Sequence, residues 1–517
     1  MTDPTHTRGT GDADFVPPIT GGWRKRRLRR RIALAVVAVV VAAGLSWGAV
    51  TVAGVCGSPG SGVSEVDDEC VGITDGSYVF QADLEDVQKK IEEENARVRE
   101  TPGYVTVALL DPLVAGTDSA LPAAQVRNRL EGAYTALRRV NTTPVAGDSS
   151  PQIQLVLANG GKPGDQWQRV KDQLAELSQE EANPLVAVIG LGVSTKQTRE
   201  QAEDLASRNI PMVGAYLTAD RLDYKNIPGF VKTSPSNRHY VEALHRYLDS
   251  DTGIKSAIMV RDSNSDAGKD LYTQTLENEF ERQMTPLMQF PTQQFTGTSI
   301  PGAGAPDLFA NVRANICASA ASGLQAVLYA GREIDLSGFL ESLEHRTCNR
   351  TPLTILTAGL DLGEILAGKE QQLQDANLSL IAASTVDAEG WRRNETAEGT
   401  PEHFRQFRPE FEKDFPSAHL DDAGAIMMHD ALLTAAQAIR LASPNGAASN
   451  PDAGDVRAQL LNINTLQTVQ GASGTLSFSM HPTAAGNPFG KPVPVLRYPK
   501  EANAPSRQVG PLYRVTN

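Results

Sequence analysis

Runs of aliphatic and β-branched residues recur along most of the chain: YVTVALL (104–110), QIQLVLA (152–158), LVAVIG (185–190), SAIMV (256–260), QAVLYA (325–330) and LTILT (353–357). Short, uninterrupted apolar runs of this kind read as strands buried on both faces. Between them, segments 122–140, 165–178, 197–208, 236–249, 268–283 and 335–345 carry apolar positions at helical spacing. Strand and helix in strict alternation predict parallel sheets covered by helices on both sides. The alternation restarts near Ser236, after a break at KTSPSN (232–237). Two α/β lobes follow from that restart, with any ligand expected off the carboxyl ends of the strands, where the loops of the two lobes face each other.

The first hundred residues follow other patterns. Residues 1–22 are polar and read as a disordered tail. WRKRRLRRR (23–31) precedes an uncharged apolar run, residues 32–55, which as a helix would extend ~36 Å and cross a bilayer. A cleaved signal peptide is the rival reading, disfavoured by the long basic segment ahead of the run and by the run's length. GSPGSGVS (57–64) reads as a linker, and DLEDVQKKIEEENARVRE (83–100) as a charged helix with Leu84, Val87 and Ile91 on one side. That helix either packs on the body or serves as a stalk.

Charge orients this arrangement. Residues 1–31 hold eight Lys/Arg against three Asp, a net of +5, so with −13 overall the part beyond the apolar run carries −18. Positive charge stays cytoplasmic, which places the lobes outside the cell membrane on a single-pass anchor through the lipid bilayer at 32–55. An acidic body excludes nucleic acid as the natural ligand. In that compartment the four cysteines suggest disulfides. Proximity favours Cys56 with Cys70 and Cys317 with Cys348, although three pairings exist and free buried thiols are the alternative.

Chemical motifs are few. GLGVST (190–195) has two glycines of a dinucleotide loop but Thr195 at the third. GASG (471–474) is one residue short of a nucleophile elbow. DSNSDAG (262–268) imitates a calcium loop yet has Ala267 where the glycine belongs and Thr273 where the bidentate glutamate belongs. No catalytic constellation, metal or cofactor is expected. What remains is a small-residue corner after 185–190, where Ser194 and Thr195 either receive an anion at a helix start or simply cap the helix.

The segments LVAVIGLGVSTKQT, NIPMVGAYLTADRL, FVKTSPSNRHYVEAL, SAIMVRDSNSDAGKDLYTQTLENEF and GASGTLSFSMHPTAAGNP resemble, in order and spacing, those of type I periplasmic solute-binding proteins of branched-chain amino acid ABC importers. The resemblance implies two Rossmann-like lobes joined by a hinge, closing on a small solute. By this analogy the chain divides into a cytoplasmic tail (1–31), a transmembrane helix (32–55), a linker and juxtamembrane helix (56–102), lobe 1 (103–233 plus 387–470) and lobe 2 (234–386 plus 471–517). It implies ligand contacts at Ser194 and Thr218, with Thr195 and Leu217 beside them. The chain departs from the pattern where binders carry an aromatic ring, having Asp266 and Arg332, and where they carry an acid, having Gly359 with Asp361 two residues on. Either Asp266 or Asp361 replaces that acid, or the ligand is not a plain amino acid. Arg332 grips a second anionic group or pairs with Asp266 across the lobes. Implied partners are a permease and ATPase for import, or a membrane signalling partner. The other reading is a flytrap scaffold that has lost its solute and serves as an interaction module.

Overall fold

The computed structural model describes residues 56–57 and 62–516, apart from 115–120, 162–165, 299–307, 444–449, 480–484 and positions 251, 267, 360, 361, 398, 419, 421 and 505. The apolar run 32–55 lies outside the described residues. Among those described, no helix is long and apolar enough to cross a membrane.

The first lobe is built on a seven-stranded sheet, in the order β1 (Val63–Val66), β2 (Glu69–Thr74), β4 (Ile153–Asn159), β3 (Val105–Leu110), β5 (Leu185–Gly190), β6 (Met212–Gly214) and β7 (Phe230–Lys232). From β4 to β7 the strands are parallel, while β1 and β2 add an antiparallel edge. The pleat sends Val105, Val107 and Leu109 into one core and Ala108 and Leu110 into another on the opposite face. This is why the run reads as continuously apolar: both faces are covered. One face carries α1 (Glu85–Arg99), α2 (Ala123–Thr142) and a helix from the far end of the chain, Gly424–Ala442. The other face carries α3 (Trp167–Ser178) and α4 (Lys196–Ser207). Gly132 of α2 lies so close to the Gly424–Ala442 helix that a Cβ would sit 2.0 Å from the Ala425 carbonyl oxygen. Only glycine allows this crossing. The charged helix 83–100 thus packs on the body, through Val87 and Ile91.

The second lobe has a six-stranded sheet, in the order β16 (Val495–Tyr498), β12 (Leu378–Ala383), β11 (Leu353–Ala358), β10 (Ala326–Ala330), β8 (Ala257–Asp262) and β9 (Gln293–Phe295), parallel except for the edge strand β16. Helices α5 (Asn237–Asp249), α6 (Leu271–Met284), α7 (Ala310–Ala320) and α8 (Glu333–Glu344) cover it. Both expected disulfides form: Cys56–Cys70, with Cα atoms 5.2 Å apart, and Cys317–Cys348, at 5.4 Å. The hairpin of β13 (Val469–Gly471) and β14 (Gly474–Leu476) packs Val469, Ala472, Leu476 and Phe478 into the first core. It therefore sits with lobe 1, across the boundary expected at 470.

The chain crosses between the lobes at 233–236, at 384–387 and again beyond the hairpin. Two of these crossings are tied by a fully buried polar chain. Asp430 accepts from Ala472 N at 2.7 Å, Ser473 N at 2.9 Å, the Ser473 hydroxyl and His429 Nδ1 at 2.8 Å. Arg139 Nη1 approaches His429 Nε2 at 2.8 Å. Since arginine only donates, the imidazole is neutral with its proton on Nδ1. Lys491 Nζ donates to Ser473 Oγ at 2.6 Å and to the Thr233 carbonyl at 2.9 Å. GASG is thus a cradle for a carboxylate rather than a nucleophile turn; a Cβ on Gly471 would sit 2.6 Å from Asp430 Oδ2.

Burial pulls the Lys491 ammonium down to about 7, against the opposing attraction of Asp430. Between there and the usual 10.5, the unfolded chain holds a proton that the folded one has released. Stability referable to Lys491 therefore rises with pH across that window. Urea unfolding at both ends of it should show the wild type gaining on Lys491→Met at the alkaline end. A constant difference between the two would contradict the assignment.

Candidate functional site

The corner after β5 is made by three successive residues with positive φ, Gly190 (+90°), Leu191 (+66°) and Gly192 (+67°). A side chain at 190 would press to 2.9 Å on the Leu110 carbonyl, so the turn demands glycine there. It brings Ser194 over the ends of β5 and β6. Ser194 Oγ accepts from Thr218 N at 3.1 Å and Ala219 N at 3.2 Å. With two N–H groups on its oxygen, the hydroxyl proton is directed away from them. Thr195 is the N-cap of α4, accepting from Thr198 N at 3.2 Å.

The Ser194 carbonyl reaches into the other lobe. It accepts from Leu271 N and Tyr272 N, both at 3.1 Å, and from Arg332 Nη2, also at 3.1 Å. Leu271 and Tyr272 begin α6, whose first N–H groups have no intrahelical acceptor; a residue of lobe 1 supplies one. Lys196 N also donates to Lys269 O at 3.0 Å. Asp270 caps α6 by accepting from Thr273 N. It also receives Arg332 as a fork, Nε at 2.5 Å and Nη2 at 3.0 Å. Asp270 is fully buried and Arg332 nearly so. Burial acts to lower the guanidinium pKa, and the Asp270 charge outweighs it and leaves it raised. The guanidinium also lies over the Tyr272 ring, 5.3 Å from its centre.

Behind this latch, Glu333, the first residue of α8, turns a buried carboxyl toward the cleft. Burial raises its pKa, opposed by Arg332 and by Arg129 of the facing lobe. Arg129 itself pairs with Asp111 at 3.2 Å and lies 5.6 Å from the Tyr216 ring centre. Ser194, Tyr216 and Thr218 of lobe 1 thus face Tyr272, Arg332, Glu333 and Gly359 of lobe 2. The space between them open to the centre of a water molecule is about 10 Å³, room for about one water.

Of the residues expected at the site, Ser194, Thr218 and Arg332 converge. Thr195 caps its helix beside them. Leu217 is fully buried in the core of lobe 1. Asp266 points away: it is exposed and pairs with Arg261 at 2.6 Å, because the turn after β8 carries it to the surface. The partner of Arg332 is Asp270, within its own lobe. Asp361 lies outside the described residues. Asp270, Tyr272, Glu333, Tyr216 and Arg129 were not expected there. Asp270 and Glu333 are detectable in hindsight as a helix cap and as the neighbour of Arg332. Nothing in the periodicity of α2 singles out Arg129.

No protein-family model matches the sequence, and no curated protein is significantly similar to it. Solved structures do match. A solute-binding protein of an ABC transporter from Rhodopseudomonas palustris BisB5, in complex with 3,4-dihydroxybenzoic acid, superposes with a TM-score of 0.58 at 13% identity, over 80% of this chain and 98% of that one. An ABC transporter substrate-binding protein from Desulfitobacterium hafniense, in complex with Leu, gives 0.55 at 14%, over 80% and 100%. A leucine-binding protein from Thermotoga maritima gives 0.55 at 16%, over 79% and 98%. The chain has the type I periplasmic binding protein fold.

Removing one partner of a buried ion pair leaves a stranded charge. Arg332→Met should therefore lower stability by about 3–5 kcal/mol in urea unfolding, and adding Asp270→Asn, which removes the charge and keeps an N-cap acceptor, should restore much of it. Equal losses in the single and double variants would show that Asp270 is not the charge Arg332 neutralises.

Proposed function

We propose that this chain is an extracytoplasmic solute receptor, held to the cell membrane by residues 32–55. It would take a small amino-acid-like or carboxylate-bearing solute between its lobes, for ABC import or for sensing. The observation that carries this reading is the convergence of Ser194, Thr218 and Glu333 on one interlobe point within a type I fold. The Ser194 hydroxyl, its oxygen already occupied, is disposed to donate to a solute carboxylate. Glu333 stands opposite as the acid for an ammonium, a role that Gly359 cannot fill. Admitting a solute requires the lobes to part and the hydrogen bonds on the Ser194 carbonyl to break. Each contributes about 0.5–1.5 kcal/mol net, so the solute must favour the re-closed state by a comparable amount.

The second reading is a scaffold that uses its lobes for protein contact. It draws on the narrowness of the cavity and on the latch that fills the cleft with the protein's own groups.

Thermal unfolding of the purified full chain against amino acids, organic acids, peptides and nucleosides separates the two. Under the first reading at least one solute raises the melting temperature by roughly a few degrees at saturation. Ser194→Ala should then weaken its binding by about 1–3 kcal/mol. A cooperative transition unmoved by every solute would favour the scaffold, and undiminished affinity in Ser194→Ala would remove that residue from the site.

A further inference from the structure

Two residues beyond Thr218, the loop after β6 brings Asp220 against lobe 2. Asp220 N donates to the Thr275 hydroxyl of α6 at 3.3 Å. Beside it, Asn237 N donates to the Thr218 carbonyl at 2.7 Å. Asn237 Nδ2 donates to the Tyr272 carbonyl and to Thr275 Oγ1, both at 2.9 Å. Thr275 gives its own proton to the Leu271 carbonyl at 2.8 Å, so that hydroxyl has none left for a carboxylate. Two acceptors are left over, one from each lobe. Among the described residues, Asp220 Oδ2 and Asn237 Oδ1 are sealed from water with no donor on either. Acceptors are rarely shut bare into an interface, because each loses its water and gains nothing in return.

The charged groups around Asp220 come from three directions. Lys232 ends β7, and its Nζ donates to the Ala219 carbonyl at 2.9 Å. Burial brings that ammonium down to about 8, against the pull of Asp220 and Asp223, so it stays charged below that pH. From α5 come Arg238, whose Nη2 lies 3.2 Å from His239 Nε2, and His239 itself, which burial lowers to about 3 and keeps neutral. From α6 come Glu279 and Arg282, paired with each other at 2.5 Å. Burial of the Asp220 carboxyl, reinforced by Glu279, outweighs Lys232 and Arg238 and raises it from 3.8 to about 7.

We propose that Asp220 is a proton-operated catch between the lobes, its carboxyl taking up a proton as they close and releasing it as they part. Protonated, Oδ2 becomes a donor set among acceptors. Ionised, the same oxygen regains water only when lobe 2 moves off. Parting returns the carboxyl to its ordinary range, so closure binds a proton at pH values between 3.8 and about 7. The closed form is at its strongest at and below the lower value. Relative to the parted form, it loses up to about tenfold in population per pH unit across the window, and no more above it. The device needs the lobes to part, but it does not depend on which solute, if any, the Ser194 corner takes.

Amide hydrogen exchange on the full-length protein from about pH 5 to about pH 8.5, corrected for the intrinsic exchange rate, tests it. The N–H groups of Leu271 and Tyr272, held by the Ser194 carbonyl of lobe 1, report parting of the lobes. Those of Ala326–Ala330, inside the second sheet, report global unfolding. Protection at Leu271 and Tyr272 should fall at least about tenfold between about pH 5 and about pH 7, with no matching fall at Ala326–Ala330. Asp220→Asn keeps the shape of the protonated carboxyl, cannot ionise, and should hold the acid-side protection throughout. Glu279→Gln removes the facing negative charge and should move the midpoint to lower pH. Three results would each overturn the inference: protection independent of pH in the wild type, a fall that persists in Asp220→Asn, or a midpoint that stays or rises in Glu279→Gln. A solute panel that leaves the melting temperature unmoved bears on the receptor reading alone.

Discussion

The carboxylate of Asp430 organises the hinge. It is fully buried, and burial alone would raise its pKa. Hydrogen bonds from His429 and Ser473 and the nearby Lys491 charge outweigh that and leave it lowered. An ionised group at such depth is tolerable only when each lone pair is answered, and here backbone, hydroxyl and imidazole answer it. Through Ser473 and Lys491 the same carboxylate reaches the Thr233 carbonyl on the first crossover. Two of the segments that must bend for the lobes to move are therefore anchored to one helix of lobe 1.

The cleft is closed by a second set of groups in need of partners. A helix start offers N–H groups with nothing to bond, and in α6 they are met by the Ser194 carbonyl from the opposite lobe. Arg332 adds to that carbonyl while neutralising Asp270. The protein's own groups thus occupy the point where the two lobes meet. The Ser194 corner is both the place a solute anion would be received and the place the lobes hold each other. The two uses fall on different atoms, the carbonyl holding the lobes together and the hydroxyl being the group proposed to meet a solute. Near the crossover at 384–387 the lobes are tied a second time, where Arg507 of lobe 2 donates to Glu389 in the helix Ala388–Arg393 of lobe 1.

Much of the architecture is legible in the order of the residues. Each strand expected from an uninterrupted apolar run is present, because a strand covered on both faces must be apolar at every position. Cys56 with Cys70 and Cys317 with Cys348 follow from proximity. The site is legible only in part. Ser194 and Thr218 stand out through a small-residue corner and a family likeness. Asp266 and Asp270 lie four residues apart in one loop, both acidic, and the pattern does not tell which turns inward. The turn after β8 sends Asp266 to solvent and leaves Asp270 to begin α6. Glu333 and Arg129 escape such a reading because a buried charge carries no periodic signature of its own.

The sequence by itself determined the local elements and the two-lobe division, because hydrophobic period and turn residues act over a few positions and need no distant partner. It also determined that the body is acidic and that residues 32–55 are apolar. Tertiary structure alone decided which charges are paired, which lobe the 469–478 hairpin joins, and that the expected binding corner is filled by the protein's own groups. Those outcomes depend on groups from opposite lobes meeting within hydrogen-bonding distance, over separations such as Ser194 to Arg332, and no local pattern encodes such a meeting.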